Sequence, residues 1–256
     1  MNVIKLKKII NTLSFKSLKD IFIFDSIDST NTYVMEYHTE LQSCSIVIAM
    51  EQSSGRGRYS REWQSSRGGL WFTLLSKPEK SIDDILPLYY IIPISIIQTL
   101  KKYGVSADLK WPNDILIDGK KIAGILVDTV ILKKNVEIMA IGCGINLDNN
   151  IPEELSDNAI NLNSIIDEQC YEKFTIDFLC ELDNVIFMHQ NKLVDLTKVA
   201  QGYFTGICEN YVLRNNYSVI FSGEIIEITS KGELVMRNDS GEVRKFSYGE
   251  IFEQKE

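Results

Sequence analysis

Residues 114–127 read Asp-Ile-Leu-Ile-Asp-Gly-Lys-Lys-Ile-Ala-Gly-Ile-Leu-Val and carry the clearest structural signal in the chain. Two apolar runs flank the dipeptide Asp118-Gly119, which is typical of a type I′ turn between antiparallel strands. The sequence therefore predicts a β-hairpin over these residues. Gly124 lies inside the second strand, where a missing side chain indicates close approach of backbone or of a ligand.

The segment before the hairpin, residues 107–113, carries a lysine on an extended stretch. Trp111 precedes Pro112, and this position disfavours helical backbone at Trp111. Strand alternation then places Lys110 on the opposite side from Leu109 and Trp111. A lysine on the open side of a sheet is usually solvated, so solvation and a ligand contact are both open for Lys110.

The other elements follow from the spacing of apolar residues. Strands are predicted over residues 20–25, 44–50, 69–75 and 136–141, and helices within residues 1–20, over 83–103 and over 172–200. Two prolines early in the second helix suggest that regular helix begins only at about Pro93, and Gly104 is expected to end it. The core face of the last helix is predicted to hold Leu179, Leu182, Ile186, Leu193 and Leu196.

From Asn216 the sequence changes to short strands that are cut by turns at residues 230–232 and 238–241. This pattern predicts an antiparallel barrel of about forty residues. Such a barrel has little core of its own, so we expect it to dock on the larger part of the chain. The chain is therefore predicted to be an α/β (α+β) protein with two domains, residues 1–208 and 209–256.

Residues 51–63, called the arginine loop below, read Glu-Gln-Ser-Ser-Gly-Arg-Gly-Arg-Tyr-Ser-Arg-Glu-Trp and combine three arginines with two glycines. Few of these side chains can form a core, so we expect the segment to be mobile without a ligand. One interpretation is a solvated basic loop. The other is a clamp for a phosphate-bearing ligand, in which arginines and glycine N–H groups bind the anion and Trp63 stacks on a base.

Two further polar stretches have both a structural and a ligand-binding interpretation. Residues 29–31 are Ser-Thr-Asn, which suit the N-terminus of a helix and equally suit a ligand contact at a strand end. Residues 142–146 are Gly-Cys-Gly-Ile-Asn. They lack the third glycine and the following helix of a dinucleotide-binding fingerprint, so we reject that fold. The two glycines instead indicate space for a ligand, with Asn146 supplying amide hydrogen bonds.

Composition excludes several classes of function. The net charge of −8 argues against a nucleic-acid-binding protein. No apolar run reaches the 18 or more residues of a membrane span, and residues 1–20 lack the features of a secretory signal. Two distant histidines, His38 and His189, argue against a histidine metal site or a Ser-His-Asp triad. The five cysteines form no CxxC pair and are predicted to be reduced core thiols of a cytoplasmic protein: Cys44, Cys143, Cys170, Cys180 and Cys208.

Four motifs occur in a fixed order: Asp28-Ser-Thr-Asn31, Gln52 through Gly55-Arg-Gly-Arg58 to Trp63, Lys110-Trp-Pro-Asn-Asp114 with Lys121-Ile-Ala-Gly124, and Gly142-Cys-Gly-Ile-Asn146. Together they resemble the biotin protein ligases, and the resemblance spans roughly residues 20–250. It implies a mixed-sheet catalytic domain like that of class II aminoacyl-tRNA synthetases, followed by an SH3-like barrel. It also implies a reaction in which biotin and Mg-ATP form biotinyl-5′-adenylate, which then biotinylates a lysine of the biotin carboxyl carrier protein or domain of acetyl-CoA carboxylase.

The resemblance also implies roles for individual residues. Lys110, Arg56 and Arg58 would stabilise charge while the biotin carboxylate attacks the triphosphate, with magnesium carried by the nucleotide. The residues expected to bind biotin are Ser29, Thr30, Asn31, Gln52, Arg56, Gly57, Arg58, Lys110, Gly124, Gly142 and Gly144. The residues expected to bind the adenylate are Trp63, Asn113 and Asn146. No residue is expected to hold a metal ion directly.

The sequence departs from the family pattern in two places. Tyr59 and Ser60 stand where family loops often continue with a basic residue and glycine, so one positive charge and some flexibility are lost. About twenty residues precede the first strand, too few for the DNA-binding winged helix that opens many bacterial members. We therefore expect a ligase without repressor function.

Three other functions compete with this prediction. A lipoate–protein ligase would share the fold and the chemistry, but the Gly-Arg-Gly-Arg loop and the Lys-Trp-Pro-Asn-Asp turn favour biotin. A non-catalytic binder of biotinyl-adenylate is disfavoured by the complete clamp and by Lys110. A nucleic-acid module built on the arginine loop conflicts with the acidic charge. The expected partners are thus a carrier protein and neither nucleic acid nor membrane, while a homodimer is left open.

Overall fold

The computed structural model describes residues 3–166, 171–216 and 218–254. The α-helices within them are α1 (Val3–Ile10), α2 (Thr30–Tyr37), α3 (Leu86–Lys102), α4 (Tyr171–Gln190) and α5 (Leu196–Gln201). The strands are β1 (Ile21–Phe24), β2 (Ile46–Ala49), β3 (Leu70–Ser76), β4 (Lys80–Ser81), β5 (Asp108–Lys110), β6 (Asp114–Ile117), β7 (Lys120–Leu132), β8 (Asn135–Ile145), β9 (Asn210–Arg214), β10 (Val219–Ile228), β11 (Leu234–Arg237), β12 (Val243–Phe246) and β13 (Glu250–Glu253).

The first eight strands form one mixed sheet in the order β1-β2-β3-β8-β7-β6-β5, with β4 paired to β8. β1 and β2 are parallel, and the remaining neighbours are antiparallel. The predicted hairpin is confirmed as β6 and β7. Asp118 and Gly119 at its tip both have positive φ angles, 48° and 77°, as a type I′ turn requires.

A buried apolar core fills the space between one face of this sheet and the helices α3 and α4. Phe72 of β3 meets Phe178 of α4 with ring centroids 4.9 Å apart. Burying a side chain of this size contributes about 1.5–3 kcal/mol. On the other face, α2 packs Val34 against Leu75 and Ile138. The sheet is therefore held between packed layers on both faces.

α3 begins earlier than the sequence predicts. Regular helix starts at Leu86 rather than near Pro93, which lies inside the helix. Pro87 occupies the first turn, where its missing N–H would have no partner in any case. Pro93 removes one helical hydrogen bond, but Ile92 and Ile94 beside it are almost fully buried, and this burial offsets the loss.

The last predicted helix is two helices. α4 ends at Gln190 and α5 begins at Leu196, after Lys192 adopts a left-handed backbone with φ of 56°. Asp195 caps α5 by accepting a hydrogen bond from Lys198 N. Leu193 lies in the break and is 65% exposed, so its predicted core position is wrong. The other four predicted core residues are buried: Leu179, Leu182, Ile186 and Leu196.

The last five strands form a separate antiparallel sheet in the order β12-β11-β10-β9-β13, as predicted for the small barrel. Trp111 belongs to the buried cluster of this second sheet, and its Nε1 donates to Gly232 O at 3.0 Å. The barrel therefore docks on the segment that carries Lys110. β9 begins at Asn210, and the division at residues 208/209 stays a prediction.

The cysteines are only partly the core thiols that the sequence predicts. Cys143 is buried and Cys44 is partly buried, but Cys180 and Cys208 are exposed, and all four are free thiols. Cys170 lies outside the described residues. No helix in the described part of the chain is long and apolar enough to cross a membrane.

Candidate active site

A cavity of about 430 Å³ opens against the large sheet, between the arginine loop and the second sheet. Every residue that the sequence predicts as a site residue lines it, although the four motifs are far apart in sequence. These residues are Ser29, Thr30, Asn31, Gln52, Arg56, Gly57, Arg58, Trp63, Lys110, Asn113, Gly124, Gly142, Gly144 and Asn146. Their individual roles stay predictions.

The floor of the cavity is a network of hydroxyl and amide groups at the start of α2. Gln52 Oε1 accepts hydrogen bonds from Thr30 N at 2.8 Å and from Thr30 Oγ1 at 3.1 Å. Thr73 Oγ1 lies 2.5 Å from Asn31 Oδ1 and 2.8 Å from Thr30 Oγ1. Asn31 Nδ2 donates to Asp128 Oδ2 at 3.0 Å. These bonds fix the directions of Thr30, Asn31 and Gln52, so the floor is organised before any ligand binds.

Ser29 has the structural role that its residue type suggests. Its side chain caps α2 by accepting a hydrogen bond from Thr32 N at 3.4 Å. The side chain is also almost fully buried beside the floor network. The capping interpretation is therefore supported for Ser29, while a ligand contact by the same hydroxyl stays a prediction.

Replacing Thr73 by valine is expected to destabilise the protein by about 1–3 kcal/mol, because a buried hydroxyl partner of the floor network is lost. Thr73 is fully buried. Thermal unfolding monitored by circular dichroism measures the effect. The matched control is Thr129→Val, at an exposed position of β7, which should unfold like the wild type. Equal melting temperatures for the two variants would contradict this role of Thr73.

The glycines of the cavity make room for side chains of the protein itself. A Cβ atom at Gly142 would overlap the Asn31 side-chain amide, and one at Gly144 would overlap the Trp63 indole. At Gly124 the added atom would lie 3.1 Å from Trp63 Cζ3. The three glycines thus permit Asn31 and Trp63 to lie against the sheet, and a direct glycine contact with a ligand stays a prediction.

The Trp63 indole lies close to Gly124 and Gly144, and the Lys121 ammonium group lies near its ring. Lys121 Nζ lies 4.9 Å from the Trp63 ring centroid and 2.6 Å from Asp114 Oδ1. Trp63 Nε1 is buried and has no hydrogen-bond partner among the described residues. An unpaired buried donor costs free energy, so a ligand acceptor that reaches it would be favoured.

The cationic side of the cavity is formed by Lys110, Arg56 and Arg58. Arg56 Nη2 lies 3.6 Å from Asp128 Oδ2. In the described part of the chain, Lys110 and Arg58 have no carboxylate within ion-pair distance; Lys110 Nζ faces the Phe252 ring at 6.0 Å. Two positive charges are therefore left without an acidic partner in a partly enclosed space, which favours binding of an anion.

The sequence did not single out Thr73, Lys121 or Asp128 as site residues. Lys121 belongs to the third motif, so its place in that motif was an available signal. Asp128 is an acidic residue in an otherwise apolar strand, and Thr73 is a hydroxyl within one. Neither pattern shows which distant side chain will be its partner.

Among the described residues that line the cavity, no histidine or cysteine forms a pair of nucleophile and base. Burial raises the pKa of the Cys143 thiol well above its usual range, so the thiol stays protonated. No histidine lines the cavity, and no group of three or more metal-binding side chains occurs among the described residues. The geometry instead suits three ligand parts: an uncharged donor–acceptor head on the floor, an anion beside Lys110 and Arg58, and a flat ring against Trp63.

The chain is similar to known proteins over most of its length. Residues 23–146 match the Biotin/lipoate A/B protein ligase family. The bifunctional ligase/repressor BirA of Bacillus subtilis is 30% identical over 213 residues, which cover 77% of this chain and 62% of that protein. The biotin–[acetyl-CoA-carboxylase] ligase of Paracoccus denitrificans is 35% identical over 123 residues, which cover 47% of this chain and 51% of that protein. The chain thus spans less than two thirds of these relatives.

Solved structures share the fold. The biotin protein ligase from Aquifex aeolicus in complex with biotin and ATP superimposes with a TM-score of 0.75 and 23% identity, covering 92% of this chain and 98% of that one. The biotin protein ligase from Leishmania major in complex with biotinyl-5-AMP gives a TM-score of 0.62 at 19% identity, covering 90% and 99%. The mixed α/β domain with a small SH3-like barrel is therefore confirmed.

Proposed function

We propose that the chain is a biotin–protein ligase, since its residues 23–146 match the Biotin/lipoate A/B protein ligase family. One observation carries the proposal. A single cavity combines the amide–hydroxyl floor, the two cations without acidic partners, and Trp63. Biotin offers an uncharged ureido head and a carboxylate, and ATP offers phosphates and a flat base, so both substrates match these three parts.

In the first step of the proposed reaction, a biotin carboxylate oxygen attacks the α-phosphorus of ATP. The new C–O–P bond gives biotinyl-5′-adenylate, and pyrophosphate leaves with the electron pair of the broken P–O bond. The carboxylate and the triphosphate repel each other because both are anions. Lys110 and Arg58 lower this repulsion and stabilise the charge of the transition state, which requires no covalent bond to the protein.

In the second step, a neutral lysine amine of the carrier protein attacks the biotinyl carbonyl carbon of the adenylate. An amide bond forms, the C–O bond of the mixed anhydride breaks, and AMP leaves. The amine loses its extra proton to solvent or to the departing phosphate. Closure of the arginine loop over the adenylate would exclude water, which otherwise hydrolyses the anhydride.

A magnesium ion carried by the nucleotide would supply charge neutralisation at the phosphate oxygens. The donor set of the cavity fits this arrangement, since isolated carboxylates such as Asp114 and Asp128 are engaged with Lys121 and Arg56. No described cluster of acidic side chains would bind the ion without phosphate. Lys110 and Arg58 act on the same phosphates from the protein side.

The floor supports biotin over lipoate as the substrate. The ureido ring of biotin has two N–H donors and a carbonyl acceptor, which match the hydroxyl and amide groups of Thr30, Asn31 and Gln52. The dithiolane ring of lipoate has neither N–H nor C=O and would leave these buried groups without new partners. A site built from hydrogen-bonding groups discriminates against a ligand that can form no hydrogen bond with them.

Replacing Trp63 by alanine is expected to raise the KM for ATP by about 5- to 150-fold, because stacking on an aromatic side chain contributes about 1–3 kcal/mol per base. Steady-state pyrophosphate release at varied ATP concentration measures the change. Trp63→Phe keeps an aromatic face and should recover most of the affinity. An unchanged KM for ATP in Trp63→Ala would remove this residue from the nucleotide site.

Transfer of labelled biotin to a purified biotin carboxyl carrier protein of acetyl-CoA carboxylase tests the proposed function. With Mg-ATP present, the label should appear on one carrier lysine and should be lost when that lysine is changed to arginine. The named activity of the Paracoccus denitrificans relative supports this choice of carrier. Tight binding of biotinyl-adenylate without any transfer would instead identify a non-catalytic binder.

A further inference from the structure

The arginine loop is tied to the second sheet, nearly two hundred residues away in the chain. Arg61 forms a fork with Glu250, with Nη1 at 3.1 Å from Oε1 and Nη2 at 2.9 Å from Oε2. Arg58 Nη1 donates to Gly249 O at 2.9 Å. Both partners lie at the start of β13, so one short segment of the second sheet holds both arginines.

Tyr59 joins the two arginines within the loop. The guanidinium carbons of Arg58 and Arg61 lie 5.0 Å and 5.6 Å from the Tyr59 ring centroid, within the range of a cation–π contact. Arg58 Nη2 also donates to Tyr59 Oη at 3.3 Å. Tyr59 and Ser60 both have φ of 57°, a left-handed backbone that non-glycine residues rarely adopt. Contacts on both sides of the turn are needed to hold it.

These contacts place Arg58 at the cavity. Its guanidinium also lies 3.5 Å from Asn113 Oδ1, and among the described residues it has no carboxylate partner that would fix it otherwise. Its position therefore depends on Gly249, on Tyr59 and, through Tyr59, on the fork between Arg61 and Glu250. Opening the loop to release or transfer a bound adenylate breaks all of these contacts together.

We propose that Tyr59, Arg61 and Glu250 form a latch that positions Arg58 over the cavity, so that the second sheet sets how long the acyl-adenylate is retained. This rests on the proposed function, because it concerns the intermediate of that reaction. None of the three is a catalytic residue: each acts through Arg58 and through closure of the loop. Where related loops often carry a basic residue and glycine, this chain carries the tyrosine that joins the arginines.

Charge reversal tests the latch. The protein is loaded with biotin and labelled ATP in the presence of pyrophosphatase, and release of the adenylate is followed after dilution. Glu250→Arg and Arg61→Glu should each release it about 10-fold faster, since a charge pair is replaced by like charges. The double variant should return to within about 3-fold of the wild type, because the pair is restored in reverse. Glu250→Gln, which keeps the side-chain shape but removes the charge, should raise the rate of adenylate release by about 2- to 5-fold.

A matched control pair lies in the same sheet. Arg237 and Glu224 pair at 2.6 Å on strands away from the cavity, so Glu224→Arg should leave the release rate unchanged. Release from Glu250→Arg at the wild-type rate would overturn the proposal. So would a double variant whose release equals the product of the two single effects, since a merely structural role gives no rescue.

A second readout separates failure of the latch from failure of the proposed function. Amide hydrogen exchange of residues 55–62 is measured in the protein without substrates. Faster exchange in Glu250→Arg, with recovery in the double variant, supports the latch even if the wild type forms no adenylate. Equal exchange in all variants overturns it even if the wild type is an active ligase.

Discussion

Replacing Lys110 by alanine is expected to lower the rate of the proposed biotinyl-adenylate formation by about 100-fold or more, which is the typical loss when one preorganised group at a developing charge is removed. Lys110 lines the cavity at the end of β5, and in the described part of the chain no carboxylate pairs with it. Its charge is therefore available to the carboxylate and phosphate oxygens of the substrates. Rapid-quench measurement of the adenylate in a single turnover reads this step directly.

The stability of Lys110→Ala should be close to that of the wild type, because the side chain is partly exposed and no ion pair is lost. Lys101→Ala, at an exposed position in the last turn of α3, is the matched control and should form adenylate at the wild-type rate. Lys110→Arg keeps the positive charge on a side chain of different shape, so its rate of adenylate formation should lie between those of Lys110→Ala and Lys101→Ala. Normal turnover by Lys110→Ala would remove Lys110 from the mechanism.

Replacing Gly142 by alanine is expected to raise the KM for biotin by about 10-fold or more and to lower the free energy of unfolding by about 1–3 kcal/mol. The added methyl group would overlap the Asn31 amide. That amide cannot retreat without breaking its bonds to Thr73 and Asp128. Because Gly142 is paired with neighbours on both sides within the sheet, its backbone cannot retreat either.

Chemical denaturation and biotin-dependent steady-state rates measure the two effects of Gly142→Ala. The matched control is Gly202→Ala, where the added atom would lie an ordinary 3.5 Å from Val199 O and φ is −73°. This control should be as stable as the wild type or slightly more stable, since alanine restricts the unfolded chain. Wild-type biotin affinity in Gly142→Ala would show that the floor tolerates displacement of Asn31.

The features that could be predicted from the sequence are those that depend on residues close together in the chain. The turn at Asp118 and Gly119 needs two positive φ angles, and this residue pair supplies them. The apolar patterns predicted individual strands of the large sheet. The resemblance carried by the four motifs implied that the sheet is mixed and which residues line one cavity. Polar residues grouped at strand ends converge because the sheet aligns those ends.

The features that could not be predicted from the sequence depend on contacts between segments that are far apart in the chain. The periodicity of residues 172–200 did not reveal the break at Lys192, so Leu193 was placed in the core although it is exposed. The burial that permits Pro93 inside α3 is likewise a tertiary effect. Glu250 pairs with Arg61 only because the barrel docks beside the arginine loop. The residues next to Arg61 or Glu250 in the sequence do not indicate that the two side chains form an ion pair.

Biotin-dependent exchange of labelled pyrophosphate into ATP tests the central claim, that one cavity joins a carboxylate to a nucleotide by cationic stabilisation without a covalent enzyme intermediate. We predict exchange that requires biotin and Mg-ATP, is not supported by lipoate, and is reduced by about 100-fold or more in Lys110→Ala. The absence of biotin-dependent exchange, or exchange driven by lipoate and not by biotin, would contradict the account.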